Sequence, residues 1–218
     1  MTLLNQWGNY LGLFWDGLLV AGQLTACSVA LAVALGAVLA VCKLSSHPAL
    51  RVPASCYIVL VRATPLLLII LFAYFGLGEM GILLPAFWAG VVALGAFHGA
   101  IFAEIFRGGV QSVDRGQWEA SDALGLSAFQ RLKKIVLPQA FVPILLPSTN
   151  TVADVIKDTS LVFVLGVAEL TSAAAEAAGD TYEPLEMYGL AALFYFALYL
   201  LISRVLARWE LHVARRRN

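Results

Sequence analysis

The sequence predicts an all-α integral membrane protein, with five transmembrane helices and a basic loop of short helices between the third and the fourth. Composition is the first observation. Of 218 residues, 61% are hydrophobic and only 13% are charged, against about 25% charged in an average soluble domain. Mean hydropathy is +0.83. The second observation is that the apolar residues gather into long runs. A bilayer core of about 30 Å takes roughly 20 helical residues to cross. The third is the placement of Lys and Arg, which alternates from side to side of those runs.

Residues 1–17 include Trp7, Tyr10, Phe14 and Trp15. Such aromatics favour the headgroup level, so this segment reads as a short interfacial helix on the outer face, with a disordered tail as the alternative. The first span covers about 18–41 and its polar members are Gln23, Thr25 and Ser28. The second covers about 56–77. Its uninterrupted apolar part, Leu66 to Leu77, has 12 residues, so that helix must also use the turns around Arg62. The third, fourth and fifth spans cover about 82–106, 139–167 and 187–206, and the fourth is the most polar. Residues 107–138 form the loop. The chain 1–218 reads as one membrane domain without an internal repeat.

Charge orients the spans. No Lys or Arg precedes Lys43. Lys43, Arg51 and Arg62 lie between spans one and two; Arg107, Arg115, Arg131, Lys133 and Lys134 lie between three and four. Arg204, Arg208, Arg215, Arg216 and Arg217 close the chain. Thirteen of the fourteen basic residues thus fall on one side, with Lys157 the exception. The positive-inside rule makes that side cytoplasmic, with the N-terminus outside and the C-terminus inside. The opposite loops carry Glu79, Glu169, Glu176, Asp180, Glu183 and Glu186 and no base. No basic stretch precedes the first apolar run, so a cleaved signal peptide is not expected.

Several function classes are disfavoured. Net charge is zero, so no bulk field argues for nucleic acid. Cys27, Cys42 and Cys56 lack CxxC spacing and read as apolar packing residues. No metal site is expected. No GxxxxGK[ST] phosphate loop occurs, so this chain alone cannot hydrolyse ATP. No Ser/His/Asp, HExxH or paired-carboxylate arrangement shares a common depth, which argues against a membrane enzyme.

The loop has its own pattern. Trp118 to Leu124 favour a helix, with Glu119 early in it, where the macrodipole suits a carboxylate. Gly125 stands where that helix ends, since glycine tolerates the left-handed conformation. Ser127 can cap a second helix running to about Val136, and Pro138 then falls at a break before the fourth span. Small Ala120 and Ser121 leave room for another protein. The alternative is an amphipathic helix lying on anionic lipid through Arg131, Lys133 and Lys134.

The run Glu119-Ala120-Ser121, three residues, Gly125, nine residues, then Ile135-x-Leu137-Pro138 resembles the cytoplasmic EAA loop of ABC-importer permeases. The resemblance extends along the chain to the polar amino-acid branch. Arg62-Ala63-Thr64-Pro65-Leu66-Leu67 is similar to its RGTPLL segment, and Ala103 to Val113 to its AEIFRGGIQSV run. Gly116 to Ala120, Leu137 to Phe141 and Lys157 to Leu161 add further pieces in order. The departures are Ala63 for glycine, Val142 where arginine is common, and Ile101-Phe102 for a Tyr-Ile pair.

The resemblance implies a bacterial inner-membrane, multi-pass permease subunit that docks on ABC ATPase subunits. Its docking, or coupling-helix, residues would be Glu119, Ala120, Ser121, Asp122, Gly125 and Leu126. It implies no cofactor in this chain, with ATP and Mg on the partner ATPase. It also implies a second permease copy or homologue, and a periplasmic or extracellular amino-acid-binding protein that delivers substrate. ATPase closure would then tilt the spanning helices, a rigid-body alternating access.

The fourth span carries the candidate substrate residues. Thr151, Asp154 and Asp158 are spaced by three and four residues, so they are expected on one helix face, with Asn150 and Ser160 close by. Ionisable groups in a span face a protein interior or a water-filled cavity. A carboxylate such as Asp158 can take an ammonium group by a charge-assisted bond. Pro143 and Pro147 are expected to kink this helix. Two alternatives stay open: Lys157 pairing with Asp154, and Asp158 bonding a neighbouring span. Basic-amino-acid members of the branch can carry glutamate where this chain has Thr151, which favours an uncharged polar or acidic amino acid. Arg62, Glu104 and Arg107 lie near predicted cytoplasmic span ends, either as an inner-gate ion-pair set or as snorkelling residues. His98 reads as a packed polar residue. An importer permease for another small solute (oxyanion, sugar or opine) remains an alternative, as does an ion-coupled secondary transporter, although the latter commonly shows an inverted repeat.

Overall fold

The computed structural model describes residues 3–215. Among them every regular element is helical. In chain order these are α1 (Leu3–Leu44), α2 (Pro48–Ala63), α3 (Leu66–Leu71), α4 (Leu77–Glu79) and α5 (Ala86–Gln111). Then follow α6 (Arg115–Ala123), α7 (Ala128–Arg131), α8 (Leu137–Asp158), α9 (Leu170–Thr181) and α10 (Pro184–Arg215). π-type turns join α3 to α4 at Phe72–Gly76 and α7 to α8 at Leu132–Val136, and a 3-10 stretch, Thr159–Leu165, follows α8. Four stretches are long and apolar enough to cross a bilayer: Gly8–Leu44, Ala86–Gln111, Ala128–Leu165 and Pro184–Val205. The pair Pro48–Ala63 and Leu66–Glu79 supplies a fifth only as a bent span.

The first span is not preceded by a separate interfacial helix. α1 runs unbroken for 42 residues, about 63 Å at 1.5 Å per residue. Nothing in residues 3–17 breaks it, and its aromatics divide. Phe14 is buried against Ala177, Met187 and Phe194, whereas Trp15 is exposed. The second span, expected as one helix over 56–77, is bent by 110° between Ala63 and Leu66. Pro65 is the cause. A residue before proline is driven out of the α region, and Thr64 is extended at φ −96°, ψ 134°. The Thr64 hydroxyl donates to the Leu60 carbonyl at 2.9 Å and closes the helix end.

The third span continues to Gln111, so the loop starts at Ser112 rather than at 107. The break expected at Pro138 does not occur. The π-type turn just before it is a wider coil that accommodates a proline without ending the helix, and Ala128–Leu165 forms one stretch of 38 residues. Pro143 and Pro147 also sit inside unbroken α8. Hydroxyls of Ser148, Thr149 and Thr151 donate to the carbonyls of Ile144, Leu146 and Pro147, at 2.7, 2.8 and 3.1 Å. Each is a back-bond to a carbonyl three or four residues earlier, and none of these acceptors is a carbonyl that Pro143 or Pro147 frees, those of Gln139 and Pro143. α9, an alanine-rich helix in the acidic segment between the last two spans, was not expected. Arg216 and Arg217 lie outside the described residues.

α5 is the centre of the bundle and packs on α1, α2, α3 and α8. Lipid tails give helices no hydrophobic reason to associate, so small residues that admit close approach carry the packing. Gly95, Gly99 and Ala103, four apart, make such a stripe, with Leu31 against Gly95 and Leu35 against Gly99. Gly36 answers from α1. A Cβ there would lie 2.6 Å from Phe102 Cβ, 3.0 Å from the Gly99 oxygen and 3.1 Å from the Ala103 nitrogen. Two of these atoms are backbone and cannot swing away. Gly36→Leu is therefore expected to push α1 off α5 and to cost about 3 kcal/mol, the upper part of the range for overpacking. Thermal unfolding of the purified protein checks this; a midpoint equal to wild type would overturn it.

Candidate functional site

The loop is built on two caps. Asp114 accepts from the Gly116 amide at 2.8 Å and starts α6. Ser127 and Gln130 form a reciprocal capping box at the start of α7. Between them Gly125 sits at φ +69°, the left-handed turn expected of it. Arg131 pins α7 back to α6: its Nη1 donates to the Asp122 carboxylate, and its guanidinium lies 5.2 Å from the Trp118 ring centroid.

This frame sorts the predicted docking residues. Glu119, Ala120, Asp122 and Gly125 are exposed, Leu126 is half-buried, and Ser121 is fully buried. The Ser121 hydroxyl donates to the Trp118 carbonyl at 2.7 Å, so its small size serves packing within the loop. Glu119 lies mid-helix rather than in the first turn, and among the described residues its partner is Arg115, four residues earlier, at 3.1 Å. Two exposed apolar residues on this loop were not singled out from the sequence: Leu124 at 75% and Phe129 at 70% exposure. Their signal was a large hydrophobe inside a polar segment.

α8 divides the predicted substrate residues between two faces. Thr151 is buried, with its hydroxyl spent on Pro147. Asp158 shares that side and pairs with His98 Nε2 of α5 at 3.0 Å. His98 is therefore packed, only 1% exposed, and also the anchor of Asp158. Asn150 and Asp154 turn outward instead. Asp154 meets Lys157 at 2.7 Å on an open surface, with side-chain exposures of 54% and 63%. The expectation that Thr151, Asp154 and Asp158 share one face thus holds only for Thr151 and Asp158. Ser160 and Lys157 border a groove of about 500 Å³ whose far wall is Tyr195, Phe196 and Tyr199 of α10.

The expected gate set is only partly assembled. Glu104 accepts from Arg107 at 2.8 and 3.1 Å and from Lys43 Nζ at 2.5 Å. Lys43 is the member that sequence spacing did not reveal, because it comes from the end of α1. Arg107 also donates to Gln111 at 2.5 Å. Arg62 does not join them. It is exposed, with no ion pair among the described residues. It also lies far from the expected end of its span. Its neighbours Val61 and Thr64 border a groove with Val92, Ala93 and Ala96, near the middle of α5.

At the opposite end Glu169 is buried and caps α9, a role its place in an acidic loop had hidden. It accepts from the Thr171 and Ser172 amides at 2.9 Å each and from the Tyr195 hydroxyl at 2.6 Å. Burial raises its pKa above the usual carboxylate value, and these donors oppose the rise.

The fold and the loop together define a polytopic helical membrane protein with a capped, charged loop at its basic end and polar side chains inside one span. The chain belongs to the family of binding-protein-dependent transport system inner membrane components, whose profile matches residues 32–217. It is 34% identical over 189 residues to the arginine transport system permease protein ArtQ of Bacillus subtilis (strain 168), covering 86% of each chain. It is 35% identical to the probable glutamine ABC transporter permease protein GlnP of the same organism, covering 93% of this chain and 94% of the relative. The octopine transport system permease protein OccM of Rhizobium radiobacter shares 34% identity, with 97% and 91% covered. Among solved structures, that of an amino acid ABC transporter with histidines aligns with a TM-score of 0.90 at 36% identity, covering 97% of this chain and 99% of that one. The inward-facing MetNI methionine ABC transporter shares the fold, with a TM-score of 0.80 at 18% identity over 93% and 97% of the two chains. This chain is accordingly a permease subunit, an inner membrane component of an ABC-type transport system.

Proposed function

We propose that this permease imports a polar amino acid across a bacterial inner membrane, with its basic end cytoplasmic and its N-terminus outside. The observation that carries the reading is the set of charged side chains that α8 carries on its two faces. An exposed Asp154–Lys157 pair and the His98-anchored Asp158 lie within one membrane stretch. Charges at such a depth need water or a protein partner, and a zwitterionic solute offers both an ammonium and a carboxylate to opposite charges. The groove beside Lys157 and Ser160, with its aromatic wall, is of a size for an amino acid. The family places a binding protein in the system; it delivers the substrate from outside. A second permease copy or homologue completes the pathway. ATP and Mg act on the partner ATPase, which docks on the exposed residues of α6 and the following turn. Relatives named for arginine, glutamine and octopine transport support the amino-acid class.

The test is uptake of labelled acidic, amide, basic and small neutral amino acids, and of an opine, by cells with and without this gene. Loss for one amino-acid class supports the proposal; no loss for any, with the partner genes expressed, overturns the substrate assignment. Asp158→Asn is expected to lower that uptake about tenfold or more, because it removes the charge of a bond worth roughly twice a neutral one. Copurification of the ATPase stays unchanged. Wild-type uptake by this variant would remove Asp158 from the pathway.

A further inference from the structure

A groove of about 810 Å³ opens at the basic end of the bundle, away from Asp154, Lys157 and Asp158 of α8. Ala40 and Val41 of α1, Phe106 and Val110 of α5, and Leu132 and Ile144 of the α7–α8 stretch form its walls. Among the described residues, the polar ones bordering it are Ser45, Gln111, Trp118 and Arg131. It follows the last turns of the Gly8–Leu44 and Ala86–Gln111 spans, so it straddles the edge of the membrane core. An apolar cavity does not hold water, and at this depth the neighbouring material is acyl chain.

The rim carries the opposite character. Arg131 borders the groove and gives Nη1 to Asp122 and its face to Trp118, while its Nε has no acceptor among the described residues. Lys133 and Lys134 follow at once and are exposed, outside the groove's lining. An apolar cleft between spans with an arginine at its mouth is the chemistry that holds an anionic lipid headgroup with its chain. The docking side of α6 is a different surface: Trp118 borders the groove, whereas Glu119 and Leu124 do not. That separation favours lipid over the ATPase as occupant.

We propose that this groove is a binding site for one anionic phospholipid of the inner leaflet, with an acyl chain along Val41, Phe106 and Ile144 and the phosphate on Arg131. The leaflet assignment rests on the orientation given under the proposed function. The lipid would then brace α1 against the α6–α7 element that carries the docking residues.

The test uses the purified permease–ATPase complex and phosphatidylglycerol against phosphatidylcholine, read by native mass spectrometry. Phosphatidylglycerol is expected to be retained preferentially. Arg131→Gln should reduce that retention about fivefold, the effect of one basic residue at an anionic surface. Ala40→Phe, which fills the groove from α1 and keeps Arg131, should abolish retention of the phosphatidylglycerol. A photoreactive phenylalanine at Val41 should cross-link to lipid. Equal retention by wild type and both variants overturns the site, as does cross-linking to the ATPase or to a second permease chain. ATPase copurification is measured in the same preparations. Its loss throughout would refute the docking and orientation reading, while retained docking with indifferent lipid binding would refute only the lipid site.

Discussion

Glu119→Lys is expected to lower substrate uptake about tenfold or more while the permease inserts and folds as wild type. Reversing a charge across a protein interface costs far more than losing it at a free surface. The structure separates the two effects. Glu119 is 68% exposed at its side chain and, among the described residues, meets Arg115, itself 92% exposed. An exposed i,i+4 pair adds little to folding, so the substitution leaves α6 intact. Asp122 is a poorer probe, because it also ties α6 to Arg131. Copurification of the ATPase and uptake are the measurements. A variant that retains both would remove Glu119 from the docking surface.

Glu169→Ala is expected to destabilise the other end of the molecule by about 3 kcal/mol. It removes a helix N-cap, usually worth about 1 kcal/mol, and leaves buried donors without an acceptor at about 1–3 kcal/mol. The stranded groups are two backbone amides of α9, while the Tyr195 hydroxyl of α10 loses its 2.6 Å acceptor and keeps the Thr171 hydroxyl at 3.2 Å. The same site has a pH signature. Burial raises the folded pKa of Glu169 above 4.5, so the folded state holds its proton more tightly than the unfolded state. Its favourable contribution is complete below the unfolded pKa and is lost as pH rises through the folded value. The thermal midpoint should therefore lose stability over that rise in wild type and lose less in Glu169→Gln, which keeps an acceptor oxygen. A Glu169→Ala midpoint equal to wild type, or identical pH profiles for wild type and Glu169→Gln, would contradict this account.

Much of the loop was legible because its signals are local. Gly125 at a left-handed turn and Ser127 as a cap follow from the backbone preferences of single residues. The bend at Thr64-Pro65 was legible in principle by the same rule, but the demand for a 20-residue span outweighed it. The reverse happened at Pro138, where a π-type turn let the helix continue. The candidate substrate face was misread for another reason. Spacings of three and four place residues within a sector of a helix, and whether a neighbour covers part of that sector depends on α5. His98 covers Asp158 and leaves Asp154 and Lys157 open.

The sequence by itself determined the all-helical membrane class, the segregation of charge, the glycine turn and caps of the loop and the family, because these rest on composition, period and short-range spacing. Only the tertiary structure decided that Lys43 joins Glu104 and Arg107, that Arg62 does not, that Ser121 faces inward and that Glu169 is buried. Each of these depends on a partner or a covering element distant in the chain or set by the loop's folding. Lys43 and Glu104 lie 61 residues apart, and Glu169 and Tyr195 lie 26 apart. No local propensity encodes such a meeting; it follows from how closely the small-residue face of α5 lets α1 approach, and from where that approach leaves every other helix.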